Sequence, residues 1–483
     1  MSLKQKAIKG VFWSAIQNWG TQAVTFIVFT LLARLLEPRV FGLVALAGVF
    51  TAFVQVFLDQ GFSVAIVQRK RLDPEHLDTA LWTGVAIGSL MTIIGIVSAE
   101  TIASIFNEPE LTPIIRWLSL VFVIRGFSSV QEAILQRNLN FKALTMRSTV
   151  AVVTAGVVAV VMAFMGFGVW CLVAQQLTNA LLQVIMLWAI SDWRPKFNFS
   201  LSHFKSLFSF GINIVGINLL TFLYRRGDDF LIGYFLGSRA LGYYSVAYRL
   251  LLTGIQLLTG VLNQVAVPVF SKLQSEPERI RIALYKVTFF ASLISLPAFM
   301  GLGVLAPELI VVLFGEQWLP SVPVMQILAS VGVLQSLFFL NGAVMTAMGK
   351  PSWRLKINLF STIVSLISFA IAVRYGIIAV AAAFAIRNYL LCPLFVWILY
   401  KLVKINLKEY LNQFIIPILC SVIMSLTLIG IKLWLSDLIT YQQLLLVCIP
   451  TGFIIYGFCL LLIKPELFKQ LKTSVTSLVS KQV

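Results

Sequence analysis

The chain has 483 residues, of which 59% are hydrophobic and 12% are charged. Because soluble domains carry about 25% charged residues, this composition excludes a soluble globular protein and indicates a polytopic membrane protein. The formal net charge is +18. Two explanations of this charge remain open: basic residues collected in cytoplasmic loops, and a basic cavity for an anionic substrate. Without a soluble basic domain, the charge does not indicate a nucleic-acid-binding protein.

Fourteen apolar segments follow one another along the chain, and a bilayer span needs about 20 such residues. The segments lie at 10–33, 40–66, 79–106, 114–136, 146–167, 169–190, 208–234, 240–270, 284–314, 322–348, 355–374, 376–399, 412–432 and 441–463. The sequence therefore predicts an all-α polytopic membrane protein with about fourteen transmembrane helices.

The loops between these segments differ in basic content. With the N-terminus placed inside, most of the 37 Lys and Arg residues fall on the inner side, whereas the outer side receives Arg34, Arg39, Arg239, Arg374 and Lys432. Since basic residues collect in cytoplasmic loops, we expect both termini to be cytoplasmic. No cleavage site of the A-x-A kind follows the first apolar stretch, so we interpret it as a retained helix.

The stretch 31–71 organises the chain because it recurs. A shift of 200 residues aligns Arg39 with Arg239 and Gly42 with Gly242 in the same kind of turn. Tandem structural repeats are typical of secondary transporters. We therefore predict an N-terminal lobe at 1–190, a cytoplasmic linker at 191–207, a C-terminal lobe at 208–400, and two further helices with a basic tail at 401–483.

Several arginines fall inside apolar segments, where a charged side chain costs about 2.5 to 3.5 kcal/mol on insertion scales. Arg125, Arg249 and Arg387 are candidates for lining a water-filled cavity, with structural ion pairing as the alternative. Arg116 lies near a helix end, where its side chain can reach the interface. Tyr243, Tyr244 and Tyr248 precede Arg249, and aromatic rings beside a basic group suit a sugar-phosphate ligand.

Arg225, Arg226, Asp228 and Asp229 form a dense cluster in TFLYRRGDDFLIG at 221–233. The spacing predicts that Arg225 neutralises Asp228 or Asp229, three and four residues further along a helix. Two interpretations remain open, a self-compensated polar notch in the bundle, and a site for an anionic headgroup together with a coupling ion.

The other carboxylates have different settings. Asp59 lies inside the second apolar segment, where it either has a structural role or binds a coupling ion, and Glu132 either binds an ion or pairs with an arginine. We expect Glu100, Glu108 and Glu110 to be solvated near the outer face.

No metal-ligand spacing, nucleotide-binding loop or nucleophile motif occurs in the sequence. We therefore expect a protein that is not an enzyme, has no cofactor or metal, and draws its energy from an ion gradient, a substrate gradient or the membrane potential.

Four stretches carry a family resemblance: LARLLEPRVFGLVALAGVF at 32–50, LDQGFSVAIVQRK at 58–70, AILQRNLNFKAL at 133–144 and LIGYFLGSRALGYYSVAYRL at 231–250. They resemble the polysaccharide transport family, which holds flippases of the lipopolysaccharide, O-antigen and colanic acid type. This family is part of the multidrug/oligosaccharidyl-lipid/polysaccharide exporter superfamily.

The resemblance implies two six-helix lobes around a central cavity, two additional C-terminal helices, and alternating access in a bacterial inner membrane. It implies as substrate a polyprenyl-pyrophosphate-linked oligosaccharide, moved from the cytoplasmic to the outer leaflet for surface polysaccharide biosynthesis. Membrane lipids, a glycan polymerase and other polysaccharide assembly proteins are the further partners. Arg125, Arg225, Arg226, Arg249 and Arg387 are the substrate-binding candidates, and Asp59, Asp228 and Asp229 the ion-coupling candidates.

Three other functions remain open at this point. An ion-coupled multidrug or cation exporter of the same superfamily needs carboxylates in its cavity. A membrane-bound polymerase or glycosyltransferase needs a larger outer loop than this sequence has. A subunit of a polysaccharide assembly complex that does not itself transport is compatible with the sequence.

The orientation can be tested with reporter fusions. Because the basic loops define the inner side, fusions after Lys205 and Lys408 should report the cytoplasm, and fusions after Arg39 and Arg239 should report the outside. A reversal at any one of these positions would contradict the fourteen-helix topology.

Overall fold

A computed structural model describes residues 3–58, 66–67, 74–274 and 276–465. Within these ranges the regular elements are helical. They are α1 (Leu3–Leu35), α2 (Pro38–Leu58), α3 (Pro74–Ile105), α4 (Leu111–Gly126), α5 (Ser129–Arg137), α6 (Phe141–Phe164), α7 (Trp170–Ile190), α8 (Leu201–Lys272), α9 (Pro277–Val304), α10 (Ala306–Phe314), α11 (Val322–Phe338), α12 (Asn341–Ala347), α13 (Pro351–Ala372), α14 (Ile377–Val403), α15 (Leu407–Leu435) and α16 (Tyr441–Ile463), with 3-10 turns at Glu316–Ser321 and Val373–Tyr375.

The helices have the length and composition of membrane spans. Ten helical stretches of the described chain are long and apolar enough to cross a membrane, and an eleventh is formed if α4 and α5, bent by 44°, count together. Three further predicted segments (10–33, 208–234 and 240–270) fall on α1 and α8. The all-α, multi-pass membrane architecture is confirmed, and the count of fourteen remains a prediction.

The longest helix, α8, is interrupted at Gly237, where φ is 81° and ψ is 177°. This left-handed backbone is accessible to glycine without steric cost. The break lies 200 residues after Glu37, which separates α1 from α2. The two copies of the repeated stretch therefore share a helix break at the same place.

The two breaks meet in a reciprocal contact. A Cβ atom at Gly42 would overlap the carbonyl oxygen of Ser238, and one at Gly242 would overlap the carbonyl oxygen of Pro38. Since Pro38 and Gly42 become Ser238 and Gly242 under the 200-residue shift, each copy makes the same contact to the other, as in a two-fold interface. The absence of side chains lets the two backbones touch.

The chain divides into two compact units, and the first comprises Met1–Val246 and Leu355–Ala383. Within it α3 packs on α4, α1 on α6, and α6 on α7. Glycines make the α3–α4 contact close: a Cβ at Gly88 would lie 2.6 Å from the oxygen of Phe122, and one at Gly126 would lie 2.8 Å from the oxygen of Gly84. Small residues allow such backbone contacts between membrane helices.

The second unit comprises Ala247–Arg354 and Phe384–Val483. Here α9 packs on α11 and α15, and α15 packs on α16. Lys432 of α15 donates to a carboxylate oxygen of the buried Glu308 of α10 at 2.9 Å and to the carbonyl oxygen of Val304 at 2.9 Å. These bonds join the first of the two C-terminal helices to the rest of the unit. The predicted lobe boundaries at 190 and 208 remain a prediction.

The glycine contact can be tested with a matched pair in α2. Gly42→Ala should lower the melting temperature of the purified protein, because the added methyl group would collide with the Ser238 carbonyl. We expect a loss of about 1–3 kcal/mol, the usual cost of overpacking. Gly48→Ala is the control, since a Cβ there meets no atom within 4 Å. Equal melting temperatures for the two variants would contradict the close approach.

Candidate functional site

The charged cluster of α8 contains one tight ion pair. Arg226 Nη1 donates to Asp229 Oδ2 at 2.8 Å, and the Asp229 side chain is buried. The sequence predicted Arg225 as the neutralising residue, and this was wrong: the partner is Arg226, three residues before Asp229. Arg225 is exposed. The arginine and aspartate of the pair compensate each other, as one of the two interpretations required.

Asp228 differs from its neighbour in the kind of partner it has. The residue is 3% exposed. It accepts a hydrogen bond from the hydroxyl group of Tyr244 at 2.8 Å and another from the backbone N–H of Asp229 at 3.0 Å. Both hydrogen-bond donors are neutral, whereas Arg226 donates its hydrogen bond to Asp229 and acts on Asp228 through its charge. A buried carboxylate in such a setting is suited to binding a proton or a small cation.

The bond between Asp228 and Tyr244 spans the helix break. Asp228 lies in the first half of α8 and Tyr244 in the second half, with Gly237 between them. Tyr244 was expected to serve a ligand beside Arg249. Its hydroxyl group instead donates to Asp228, and its side chain is fully buried.

Arg387 is the most deeply buried of the candidate arginines, with 2% exposure in α14. Its guanidinium carbon lies 4.8 Å from the centre of the Phe384 ring, a cation–π distance. Phe384 also contacts the ring of Tyr248 edge-on, with the centroids 5.9 Å apart. An aromatic support of this kind holds the guanidinium in a defined orientation.

The other candidate arginines lie at the protein surface. Arg125, Arg225 and Arg249 are exposed. Arg125 lies in the last turn of α4 and donates to Gln55 Oε1 of α2 at 2.8 Å. Because lipid is an unfavourable neighbour for a guanidinium at membrane depth, exposed arginines in apolar segments require a wet surface or an interfacial position.

The structure thus brings some candidates together and separates others. Arg226, Asp228 and Asp229 form one cluster in the first unit, and Arg387 lies with Phe384 and Tyr248 in the second. Asp59 lies outside the described residues. Within the described chain, no three His, Cys, Asp or Glu side chains are grouped as in a metal site.

Glu132 and Glu100, which lie outside the cluster, each have an arginine partner. Glu132 of α5 binds Arg147 of α6 at 3.1 Å, and the arginine is buried. Of the alternatives considered for Glu132, ion pairing is the one observed. Arg116 pairs with Glu100 at 2.6 Å, and both side chains are exposed.

Glu108 is the polar residue whose role the sequence did not reveal. It accepts a hydrogen bond from Arg39 at 2.9 Å and another from Ser238, so it connects the two repeated turns. Its side chain is 12% exposed, against 56% for Glu110, which also contacts Arg39 at 3.1 Å. Glu108 was expected to be solvated; the turn after α3 directs it inward instead.

The charge state of Glu108 follows from these contacts. Burial raises the pKa of its carboxyl group, but the hydrogen bond from Ser238 and the hydrogen bond and charge of Arg39 outweigh burial, so the pKa is lowered from its ordinary value of 4.5. Glu108 is therefore ionised at neutral pH, and its bonds to the two turns are charge-assisted.

Comparisons with known proteins agree on one family. The family model described as "Polysaccharide biosynthesis protein" matches residues 31–323. The teichuronic acid biosynthesis protein TuaB of Bacillus subtilis (strain 168) is 28% identical over 96% of this chain and 97% of its own length. The lipopolysaccharide biosynthesis protein WzxC of Escherichia coli (strain K12) is 28% identical over 75% of this chain and 74% of its own.

A solved structure has the same fold. The lipid II flippase MurJ in an inward closed conformation superposes with a TM-score of 0.77. The superposition covers 95% of this chain and 100% of that one, at 14% sequence identity. At this identity the likeness establishes the fold.

The Glu108 connection can be tested by comparing Glu108→Gln with Glu110→Gln. At neutral pH the first should destabilise the protein by about 1.5–3 kcal/mol, the value of a hydrogen bond to a charged group. The second should change it by less than about 0.5 kcal/mol, as surface substitutions do. The measurement is the melting temperature of each variant.

The stability deficit of Glu108→Gln should also depend on pH in a defined direction. Since the pKa of Glu108 is lowered in the folded protein, its stabilisation is present above the unfolded value near 4.5 and is lost as pH falls through the lower folded value. The deficit of Glu108→Gln should therefore shrink below pH 4.5. A deficit that stays constant across that range would contradict the ionised carboxylate.

Proposed function

Because the chain belongs to the polysaccharide biosynthesis protein family, we propose that it is a flippase for a lipid-linked oligosaccharide. The substrate is a polyprenyl-pyrophosphate glycan, which the protein moves from the cytoplasmic to the outer leaflet of a bacterial inner membrane by alternating access. TuaB is a teichuronic acid biosynthesis protein and WzxC a lipopolysaccharide biosynthesis protein, and both similarities support this proposal. The fold shared with a lipid II flippase supports it as well.

The main support for the proposal is the excess of arginines over aspartates among the candidate residues in the apolar segments. The candidate arginines are Arg125, Arg225, Arg226, Arg249 and Arg387, and they outnumber the candidate aspartates, Asp59, Asp228 and Asp229. A pyrophosphate carries several negative charges and matches guanidinium groups in charge and geometry. An exporter of cations, the alternative of the same superfamily, needs the opposite balance.

Arg249 and Arg387 are the residues we assign to the headgroup. Arg387 has its guanidinium oriented on Phe384, and Arg249 is exposed on the helix that carries Tyr248. Preorganised guanidinium groups bind a phosphate with little loss of side-chain entropy. Arg226 is not assigned to the headgroup, because its ion pair with Asp229 neutralises that carboxylate.

Asp228 is the residue we assign to ion coupling. Its donors are the Tyr244 hydroxyl group and a backbone N–H, so its negative charge remains available to a proton or a sodium ion. Because Tyr244 lies beyond the break at Gly237, occupation of Asp228 by a cation alters a bond between the two halves of α8. This supplies a physical link between an ion gradient and a helix movement.

The assay is surface polysaccharide divided by the amount of the protein in the membrane. Arg249→Ala and Arg387→Ala should each reduce export about tenfold or more, because a charge-assisted hydrogen bond is worth about 1.5–3 kcal/mol. Lysine at either position should rescue in part, since a point charge lacks the bidentate fork. Arg116→Ala is the matched control, an arginine of an apolar segment that pairs with the exposed Glu100.

Asp228→Asn extends the same panel. The amide oxygen can still accept from Tyr244, so the variant should reach the membrane and lose the dependence of export on the ion gradient, whereas Asp229→Asn should lose protein because Arg226 is left without its partner. Normal export from a stably expressed Arg249→Ala/Arg387→Ala double variant would exclude the headgroup role. Flipping of a lipid-linked glycan by purified protein in liposomes separates a flippase from a non-transporting assembly subunit.

A further inference from the structure

The connection between α7 and α8, residues 191–200, has no helical structure and is tied to the start of α3. The backbone N–H of Lys196 donates to Asp78 Oδ1 at 2.9 Å, and that of Ser200 donates to Thr79 Oγ1 at 3.2 Å. Trp82 Nε1 donates to the carbonyl oxygen of Lys196 at 2.9 Å. We call this connection the strap.

The bonds of the strap fix its position. Asp78 and Thr79 are buried, so breaking either bond would leave a buried acceptor without a donor, at a cost of about 1–3 kcal/mol. The ring of Phe197 also stacks on Trp82, with the centroids 4.7 Å apart. The second half of the strap, from Lys196 to Ser200, is therefore held against a membrane helix.

The outer surface of the strap is apolar and aromatic. Phe197 is 90% exposed and Phe199 is 58% exposed. Leu201, the first residue of α8, is also exposed. Large apolar side chains on a fixed segment indicate a surface that is covered in the working protein.

Charged residues accompany these rings. Arg194 and Lys196 are exposed, and Asp192 at the start of the strap offsets one of the two charges. Lys205 follows in α8. Arg194 also lies 6.0 Å above the ring of Trp188, near the end of α7. Aromatic residues, together with lysine and arginine, are typical of protein segments at the interface between lipid and water.

The position of the strap relative to the membrane-spanning helices indicates that a lipid surface covers it. Its two ends continue into α7 and α8, and its middle is bonded to the first turns of α3. Both α3 and α7 are candidate membrane spans, so the strap lies at the level where these helices leave the bilayer. This is the side that the basic loops assign to the cytoplasm, whose leaflet carries anionic lipids.

We propose that residues 193–201 form an interfacial anchor that binds an anionic lipid surface. Phe197, Phe199 and Leu201 insert between the lipid headgroups, and Arg194 and Lys196 contact lipid phosphates. Each basic residue near an anionic surface contributes about 1 kcal/mol to such binding. The anchor is independent of what the protein transports, and it makes the connection between the repeated halves a fixed point on the membrane.

The test places a nitroxide spin label on the strap of the full-length protein in nanodiscs. Phe197→Cys and Phe199→Cys are the labelling sites, in a background where the five native cysteines are replaced. Because Phe197 stacks on Trp82, Phe199→Cys is the site that leaves this stacking contact intact. Asp192→Cys, at the exposed start of the same strap, is the control facing water.

Labels at 197 and 199 should be more accessible to oxygen than to a water-soluble nickel complex, and the label at 192 should show the reverse. Adding phosphatidylglycerol to phosphatidylcholine discs should move labels 197 and 199 deeper, and Arg194→Gln/Lys196→Gln should abolish this lipid dependence. Labels that prefer the nickel complex in both lipids would overturn the anchor and favour a soluble protein partner. Equal depth in both lipids would overturn the selectivity for anionic lipid.

Discussion

The reciprocal approach of Gly42 to Ser238 and of Gly242 to Pro38 is the contact on which the first unit depends. It requires a residue without a side chain at one position in each copy, and the two copies supply it at the same offset. Once the backbones touch, Arg39 and Ser238 come within reach of one carboxylate, that of Glu108. The close packing of the two turns thus places a donor from each turn on the same carboxylate, which neither turn could do alone.

Charge compensation is the second constraint, and it orders the carboxylates of the described chain. Asp229 is neutralised by Arg226, Glu132 by Arg147 and Glu308 by Lys432. A buried charge without a partner is strongly destabilising, so such pairing is the expected solution. Asp228 departs from it, because its donors are a phenol and a peptide group. A buried carboxylate that differs from the others in this way is a candidate for a functional role.

The sequence predicted the helices well because lipid leaves the backbone few alternatives. Every peptide group within the bilayer has to be satisfied inside the chain, which makes a long apolar segment a helix. The recurrence of Arg39 and Gly42 also led to the pair of turns that the structure brings into contact. The family resemblance was confirmed by the family model and supports the same fold.

The details of the site were harder to predict, for physical reasons. Partners three and four residues apart on a helix are equally accessible, so spacing alone did not distinguish Arg226 from Arg225. Glu108 follows Asn107, whose positive φ of 52° turns the chain, and no composition signal marks such a turn. The strap depends on side chains of α3 that are more than a hundred residues away in sequence.

Asp228 and the helix break at Gly237 are linked, because the hydrogen bond from Tyr244 to Asp228 spans the break. The hydrogen bond from Tyr244 favours the ionised carboxylate, and a proton or cation on Asp228 weakens that bond. For the ion-coupling role that we propose, linkage makes the effect reciprocal: any movement that separates Tyr244 from Asp228 would change the affinity of Asp228 for an ion by the corresponding free energy.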